Sequence, residues 1–369
     1  MSQQQTPAII TSTSTTTNNG VVVGCQDSFI RMYHSFSSSS EQQEPIQPSG
    51  LLVGHTKPVS ALDSISLEGS SRILSGGWDA DIRMFDGSTM ECLMILENCN
   101  NLEEAGQQSE SEDTVKIRGK GHNQEVLALT HCKTSTPNEA LIFSGGMDSR
   151  IKIWNLKASP DGKQDQIELV TTILQKEAQQ ERAIWSLTAD SSLNSPVVYS
   201  SCLEDGMVRG YDVTTLKMVA KMKLHLNDVR HVKVANCLDS KPCLFTCSSD
   251  KSLKCVDLRA NKVAMRVENI SQNVLMNFIL DDTSERLYLA DSGGSIYNFD
   301  TRMSLKKVDE VKNAHRGGIT KLVYNKGMLY SGGGADKTLK AWNCGGGKKL
   351  TPVATVEVND PIFAMTKLY

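Results

Sequence analysis

The sequence predicts an all-β protein built from repeats of one short antiparallel unit. Segments with apolar residues at alternate positions, which are typical of half-buried strands, follow one another along the 369-residue chain and are separated by turn-forming residues. An aspartate stands at the same turn in six of seven such units, and the last three spacings are 43 to 45 residues. The aligned turn positions are Asp27, Asp79, Asp148, Asp205, Asp250, Gly293 and Asp336.

Composition and charge place the chain among globular proteins with a large core. It is 39% hydrophobic and 22% charged, and its net charge is −3. This near-neutral balance argues against general nucleic-acid binding, which requires a basic face. The apolar run at 274–280 is interrupted by Asn277 and falls short of the roughly 18 residues that span a bilayer. The N-terminus lacks a basic start and an apolar signal core, so we expect no secretion.

The ten cysteines are scattered, without a CxxC pair or a regular framework. The one tight spacing, from Cys243 to Cys247, has no partner with the spacing of a metal ligand. The sequence therefore predicts reduced structural thiols, a reducing compartment, no metal site and no cofactor.

The clearest copy of the unit lies at 121–155. Its strands are predicted at 126–130, 140–144 and 150–154. Four polar or aromatic side chains punctuate it, namely His122, Ser144, Asp148 and Trp154. The unit resembles the WD-repeat family of β-propellers, whose GH…WD signature recurs about every 40 to 45 residues. The resemblance implies a seven-bladed β-propeller with four antiparallel strands in each blade.

The other units follow in order along the chain. The first is partial, because 21–34 matches only a second and a third strand, and a fourth follows at 51–53. The second unit has strands at 59–64, 72–75, 82–85 and 92–96, and 168–174 completes the third. The fourth has 184–188, 197–201, 207–211 and 218–224, and the fifth has 229–234, 244–247, 253–257 and 263–267. The sixth has 274–280, 287–290, 295–299 and 307–311, and the seventh has 319–324, 328–331, 338–342 and 353–358.

The two ends of the chain complement each other. The tail at 361–369 reads like a first strand, and the N-terminal unit lacks one, so pairing them would close the ring and remove exposed sheet edges. The alternative is that 8–13 supplies the missing strand. We therefore expect a disordered Ser/Thr/Gln-rich tail at 1–19, a single propeller domain at 20–369, and an acidic loop insertion at 97–120.

By resemblance to the family, a His, a Ser or Thr, an Asp and a Trp form a hydrogen-bonded network within each blade. His122, Ser144, Asp148 and Trp154 supply the complete set. Three further units supply partial sets, which are His55, Ser75 and Asp79; His225, Thr246 and Asp250; and His315, Asp336 and Trp342. An extra glycine in the seventh unit shifts Ser331 by one position. The sixth unit, with Ser271 before its first strand and Gly293 at the turn, is predicted to lack the network and to be the softest blade.

A set of His, Asp and Ser also suggests a hydrolase. A catalytic triad, however, is a single constellation whose serine is exposed beside an oxyanion hole. Here the set recurs in several units and lies within predicted buried strands, where it satisfies polar groups that would cost about 1–3 kcal/mol each to bury alone. The structural interpretation is favoured, and we expect no enzyme.

By the same resemblance, the positions just before the turn aspartates lie on one end of the ring, here called the top face. Trp78 stands in such a turn, where tryptophan is typical of an interface anchor, and Met147 and Glu204 occupy matching places. Trp185 and Arg230, near the top of adjacent first strands, are expected to form a stacking or carboxylate-binding pair. Local packing is the alternative for both.

Two successive units end in Asp-x-Arg, at Asp257 to Arg259 and at Asp300 to Arg302. Tandem copies resemble the short box by which some WD-repeat proteins dock onto the adaptor of cullin-RING ubiquitin ligases. Asp and Arg are also ordinary residues of β-turns.

The sequence thus predicts a non-enzymatic scaffold that mediates protein–protein interactions, with a ligase substrate receptor as the alternative. We expect one or more protein or peptide partners, no direct nucleic-acid contact and no membrane insertion. We also expect a monomer within a larger complex, in the cytoplasm, the nucleus or both.

Overall fold

The computed structural model describes residues 20–34, 46–67, 70–98, 114–159, 165–177, 180–190, 196–237, 241–345 and 349–368. The regular elements of these segments are all β-strands. Accordingly, no helix in the described part of the chain is long and apolar enough to cross a membrane. The predicted tail at 1–19 and most of the acidic insertion lie outside the described residues.

The strands form seven antiparallel blades. Blades 1 and 2 contain β1 (Val21–Cys25), β2 (Ile30–Tyr33), β3 (Gly50–Leu52), β4 (Val59–Leu67), β5 (Ser70–Gly77), β6 (Ile82–Asp86), β7 (Cys92–Leu96) and β8 (Val115–Ile117). Blade 3 and a short hairpin contain β9 (Val126–Lys133), β10 (Glu139–Gly146), β11 (Arg150–Lys157), β12 (Gln166–Leu174), β13 (Lys176–Glu177) and β14 (Gln180–Glu181).

Blades 4 and 5 contain β15 (Ile184–Asp190), β16 (Val197–Cys202), β17 (Met207–Asp212), β18 (Met218–Lys223), β19 (Val229–Cys237), β20 (Lys241–Ser248), β21 (Leu253–Asp257) and β22 (Lys262–Val267). Blades 6 and 7 and the last strand contain β23 (Leu275–Leu280), β24 (Arg286–Asp291), β25 (Ile296–Asp300), β26 (Lys306–Val311), β27 (Ile319–Asn325), β28 (Met328–Gly333), β29 (Thr338–Asn343), β30 (Thr351–Glu357) and β31 (Ile362–Lys367). Each predicted strand corresponds to one of these. The seven-bladed all-β fold is therefore confirmed.

The last strand closes the ring. β31 pairs antiparallel with β1, with Val21 opposite Lys367 and Gly24 opposite Ala364, and the order in blade 1 is β3-β2-β1-β31. This confirms closure by the C-terminal strand, while the alternative strand at 8–13 lies outside the described residues. The innermost strands β31, β4, β9, β15, β19, β23 and β27 contact one another in turn around the ring.

Blade 2 departs from the prediction of four strands. Its fifth strand, β8, runs parallel to β7 and pairs Met94 with Val115 and Leu96 with Ile117. No clear sequence pattern marks β8, because the segment lies at the end of a polar insertion and is only three residues long. It covers the outer edge of β7, which is otherwise open to another strand.

The hydrophobic core consists of seven clusters, each lying between two neighbouring blades. Glycines at the second-strand ends permit this close packing. A Cβ placed on Gly76 would lie 2.5 Å from the Val126 side chain of the next blade, and one on Gly145 would lie 2.5 Å from Ile184. These glycines are required by the contact between blades and not by backbone conformation.

Side chains on the innermost strands satisfy backbone groups of the neighbouring blade. Ser186 Oγ accepts the N–H of Val232 over 3.3 Å, and Thr188 Oγ1 accepts that of Val234 over 3.1 Å. Other inter-blade bonds of this kind join Ser60 to Val126, Asn277 to Leu322, Thr320 to Ile362 and Ser64 to Lys367. Since inner strands have a free edge toward the channel, these bonds reduce the number of unpaired buried backbone groups.

A buried arginine joins blade 2 to blade 3. Arg72 is fully buried; its Nε donates to Asp165 over 2.7 Å and its Nη1 to Asp86 over 2.8 Å. Its Nη2 donates to the backbone oxygen of Ser159 over 2.9 Å. The guanidinium thereby ties the second strand of one blade to the loop before the outer strand of the next.

Candidate functional site

Blade 3 holds the complete hydrogen-bonded set. His122 Nδ1 lies 2.9 and 3.0 Å from the two carboxylate oxygens of Asp148, and its Nε2 lies 2.8 Å from Ser144 Oγ. The indole N–H of Trp154 donates to the same Ser144 oxygen over 3.0 Å. Because Ser144 accepts from Trp154, its own hydroxyl hydrogen is available to donate to Nε2, and Nδ1–H donates to Asp148. The chain of donors favours the neutral Nδ1–H tautomer of His122.

The same arrangement recurs in three other blades. The Nδ1-to-carboxylate distances are 2.9 Å for His55 and Asp79, 3.1 Å for His225 and Asp250, and 3.0 Å for His315 and Asp336. The hydroxyls that bond Nε2 at 2.7–2.8 Å belong to Ser75, Thr246 and Ser331. The extra glycine of blade 7 does not displace Ser331, whose oxygen also accepts the indole N–H of Trp342 over 2.8 Å.

Burial sets the protonation of these groups. It lowers the pKa of His122, His225 and His315, and so favours the neutral imidazole. Burial acts to raise the pKa of Asp148, but hydrogen bonds from His122 and from the backbone N–H groups of Asn123 and Arg150 outweigh it and hold that pKa below its usual value. Neutral imidazole beside an ionised carboxylate is the state in which each member of the network is hydrogen-bonded.

Blades 4 and 6 contain substitutes that the sequence did not reveal. In blade 4, where no histidine precedes the first strand, Ser200 Oγ donates to the buried Gln175 Oε1 over 2.8 Å. In blade 6, Asp291 accepts from Ser271 Oγ over 2.6 Å and from Tyr297 OH over 3.0 Å. In blade 6 a different polar network, centred on Asp291, stands in place of the His–Asp–hydroxyl set.

The carboxylate of blade 6 comes from a different position of the repeat. Asp291 pairs with Leu275 at the start of its blade's first strand, as Gly77 pairs with Val59 in blade 2. Alignment on the turn gave Gly293, two residues later. The polar network of blade 6 thus uses an aspartate at the end of the second strand, β24, instead of one at the turn.

These networks are closed to substrate. His122 and Ser144 have no exposed surface, and His225, His315 and their hydroxyl partners are also buried. A nucleophilic serine must be reached by its substrate. The sets bind strands together, and a candidate binding site must be sought on the surface.

An aromatic pair lies on the top face between blades 2 and 1. The Trp78 ring stacks on Phe363, with centroids 5.9 Å apart and planes 9° from parallel. Trp78 remains 43% exposed, and its backbone N–H donates to the Pro58 oxygen over 2.9 Å, which holds the turn in place. Met147 occupies the matching turn of blade 3 and is 40% exposed. An aromatic surface with a fixed backbone is suited to anchoring a partner.

A second top-face group lies on blades 4 and 5. The Arg230 guanidinium carbon is 5.2 Å from the centroid of the Trp185 ring, and Arg230 Nη2 is 3.0 Å from Asp228 Oδ2. Arg230 Nε also donates to Ser249 Oγ over 2.9 Å. The backbone N–H of Glu204 donates to Asp228 Oδ1 over 2.8 Å, while the Glu204 side chain is 85% exposed. The structure thus connects Trp185, Arg230 and the backbone of Glu204 through Asp228, while the Glu204 carboxylate lies 3.9 Å from Arg182.

The Asp-x-Arg segments lie at third-to-fourth-strand turns, on the bottom face opposite the turn aspartates. Asp257 accepts the backbone N–H of the exposed Arg259 over 2.9 Å. Arg302 differs, because its side chain contacts Asp300 at 3.1 Å and Glu285 at 2.8 Å. These intramolecular pairs compete with any partner for Arg302.

The innermost strands enclose a central cavity of about 370 Å³. His131 Nδ1 lies 2.6 Å from Asp63 Oδ2 within it, and His231 Nδ1 lies 3.1 Å from Ser186 Oγ. Lys233 and Lys321 also line it. Desolvation along the cavity wall lowers the pKa of both lysines, although the Lys233 side chain is exposed to solvent.

Three cysteines meet in blade 5, which the sequence spacing did not predict. The Sγ atoms of Cys237, Cys243 and Cys255 all lie within 4.8 Å of one another. Cys243 and Cys255 are fully buried, and Cys237 is partly exposed. The three come from strands β19, β20 and β21, so their convergence depends on strand register. Cys247, which the spacing paired with Cys243, is not a member.

The ring of antiparallel blades, with a His–Asp–hydroxyl set or a substitute for it in blades 2 to 7, defines a β-propeller of the repeat type. The family model described as "WD domain, G-beta repeat" matches residues 46–86 and 114–155, which include the first three strands of blade 2 and nearly all of the first three strands of blade 3. Two segments of the chain thus match WD repeats, and they lie within a seven-bladed β-propeller.

Two solved structures show the same fold. The one described as "Structure of U3-55K" is 16% identical, with a TM-score of 0.62, and the match covers 85% of this chain and 86% of that one. The "Crystal structure of RRP9 WD40 repeats" is 15% identical, with a TM-score of 0.62 and 85% coverage of both chains. At these identities the likeness establishes the architecture alone.

Proposed function

We propose that the protein is a non-enzymatic scaffold that holds a protein or peptide partner on its top face within a larger complex. The observation that carries this proposal is the half-exposed Trp78, stacked on Phe363 in a turn that the backbone holds rigidly. A rigid aromatic group loses little conformational entropy on binding, and binding hot spots are enriched in tryptophan.

The neighbouring groups define the kind of partner. Met147 extends the apolar surface onto blade 3, and Glu204 and Arg230 offer both charges on blades 4 and 5. We infer a partner that places an apolar side chain against Trp78 and polar groups toward Glu204 and Arg230. The buried His–Asp–hydroxyl sets support a structural role and no catalysis. We place the protein in the cytoplasm, the nucleus or both.

The test is proximity labelling of the full chain in cells, with wild type and Trp78→Ala compared. Loss of a hot-spot aromatic typically costs about 2 kcal/mol or more, so the affinity for the direct partner should fall at least about 30-fold. Labelling of that partner should fall with it. Met303→Ala is the matched control, because Met303 is 56% exposed and lies on the bottom face. An unchanged set of labelled proteins for a folded Trp78→Ala variant would contradict the proposal.

A second proposal concerns the bottom face, where Asp-x-Arg segments stand at equivalent turns of neighbouring blades and Arg259 is exposed. Here the protein would be a substrate receptor that contacts a cullin-RING ligase adaptor through Asp257, Arg259, Asp300 and Arg302. Co-purification of the adaptor with wild type and with the Arg259→Ala, Arg302→Ala double variant decides the matter. Equal or absent recovery in both excludes this role.

A further inference from the structure

The thiol cluster of blade 5 is a convergence of side chains from three adjacent strands. Cys237 ends β19, Cys243 lies near the start of β20, and Cys255 is in the middle of β21. The ladders place Cys243 opposite Ala235 and Cys255 opposite Phe245. The three cysteines therefore occupy nearby, staggered positions on the same side of the blade, and their sulfur atoms converge to within 4.8 Å.

The other described cysteines do not cluster in this way. Among the described residues, the nine cysteines are free thiols, and only this group brings three possible metal ligands together. A buried cysteine alone behaves as a small apolar residue. Apolar packing accounts for an isolated buried cysteine. Three sulfur atoms this close to one another form a set of possible metal ligands.

The donor set fits a specific class of cation. Zinc binds thiolate sulfur at about 2.3 Å, so tetrahedral coordination places its sulfur ligands about 3.8 Å apart. Sulfur atoms already within 4.8 Å need only small side-chain rotations to reach that spacing. Thiolate ligands favour zinc and copper(I) over magnesium or calcium, which prefer oxygen.

The surroundings of the thiol cluster favour zinc over copper(I). The cluster adjoins the apolar core between blades 5 and 6, which includes Phe245, Leu253 and Phe278. Burying net charge in such a place is costly. Three thiolates with zinc carry one net negative charge, while three with copper(I) carry two. The partly exposed Cys237 gives one side of the set access to water, which supplies the fourth ligand of an open zinc site.

We propose that Cys237, Cys243 and Cys255 form a zinc site that ties the three inner strands of blade 5 together, with water as the fourth ligand. The three strands are already joined by backbone ladders, so the ion reinforces existing structure. It also connects the strand on the central channel to the body of its blade.

Metal content of the full chain, purified under reducing conditions without chelator, tests this site. After incubation with zinc and desalting, wild type should retain about one zinc per chain by elemental mass spectrometry, and its melting temperature should rise on zinc addition. Cys237→Ser, the variant of the partly exposed member, should lose at least nine-tenths of the zinc and show no such rise. Cys92→Ser is the matched control, since Cys92 is also partly exposed and lies in blade 2.

Cobalt(II) provides a second measurement that does not depend on the stability of a variant. Titration of metal-free wild type should give thiolate-to-cobalt charge-transfer absorption and the visible bands of a tetrahedral centre, both saturating at one equivalent. Several outcomes overturn the proposal: no zinc retained by wild type, zinc retained equally by folded Cys237→Ser, or copper(I) bound in preference to zinc. A disulfide within the cluster in protein isolated under reducing conditions overturns it as well.

Discussion

Replacing Ser144 with alanine tests how much the buried network stabilises blade 3. The Ser144 oxygen bonds His122 Nε2 at 2.8 Å and Trp154 Nε1 at 3.0 Å, and all three side chains have no exposed surface. Ser144→Ala therefore leaves an imidazole acceptor and an indole donor buried without a partner. An unsatisfied buried group costs about 1–3 kcal/mol, so the free energy of unfolding should fall by about 2–6 kcal/mol.

The chain offers a matched control for this substitution. Ser201 is also fully buried in a second strand, but its hydroxyl has no hydrogen-bond partner in the described structure. Ser201→Ala should therefore change the unfolding free energy by less than about 0.5 kcal/mol, or stabilise the protein slightly. Ser144→Thr should recover most of the loss, because Thr246 performs the same role in blade 5 at 2.8 Å. Urea unfolding followed by tryptophan fluorescence measures all three, and equal midpoints for Ser144→Ala and Ser201→Ala would refute the reasoning.

Three further perturbations have defined outcomes. Acidification from pH 7 to pH 5 should lower the urea midpoint, because the pKa values of His122, His225 and His315 are held below the ordinary histidine value of about 6.5 and the unfolded chain takes up protons that the folded chain does not. Arg72→Ala should cost about 3–5 kcal/mol in urea unfolding, since it leaves the buried Asp165 carboxylate unpaired. Deletion of β31 should convert the protein to oligomers or aggregate on size exclusion, because it exposes the whole edge of β1.

The outcomes that contradict these three are equally direct. A midpoint that is flat or rises between pH 7 and pH 5 would show that the imidazoles are not held neutral. For Arg72, the control is Arg266→Ala, whose exposed pair with Glu268 should contribute at most about 1 kcal/mol, and an equal loss in both would refute the bridging role. A monomer with unchanged melting temperature after deletion of β31 would exclude its role in closing the ring.

The strands and blades could be predicted from the sequence because each depends on local pattern. Alternating apolar residues mark β10 and β24, and the turn aspartates mark the register of the repeat. The pairing of β31 with β1 could also be inferred, since one unit lacked a first strand and the tail supplied one. The strands and turns are encoded within a few residues of the chain, and the pairing of β31 with β1 follows from the number of strands in each unit.

The remainder depends on where side chains arrive after folding. Gln175 lies in the short segment between β12 and β13 and takes the place of the histidine in blade 4. Asp291 provides the carboxylate of blade 6 from a position two residues before Gly293, the aligned turn residue. No sequence motif marks either residue. The cysteines of blade 5 converge through the ladder positions of three strands, which sequence spacing does not report. Trp78 and Phe363, whose rings stack, lie far apart in the sequence. These are contacts between distant segments, and a repeat pattern carries no information about them.

The closure of blade 1 has a consequence for how the protein is made. Ser64 in the second blade donates to the backbone of Lys367, 303 residues later in the chain. At typical synthesis rates of about 5–20 residues per second, blade 1 waits on the order of 15–60 s for its innermost strand. Throughout that interval β1 lacks the β31 partner that it has in the folded ring. The ladder that closes blade 1 can therefore form only after β31 has been synthesised.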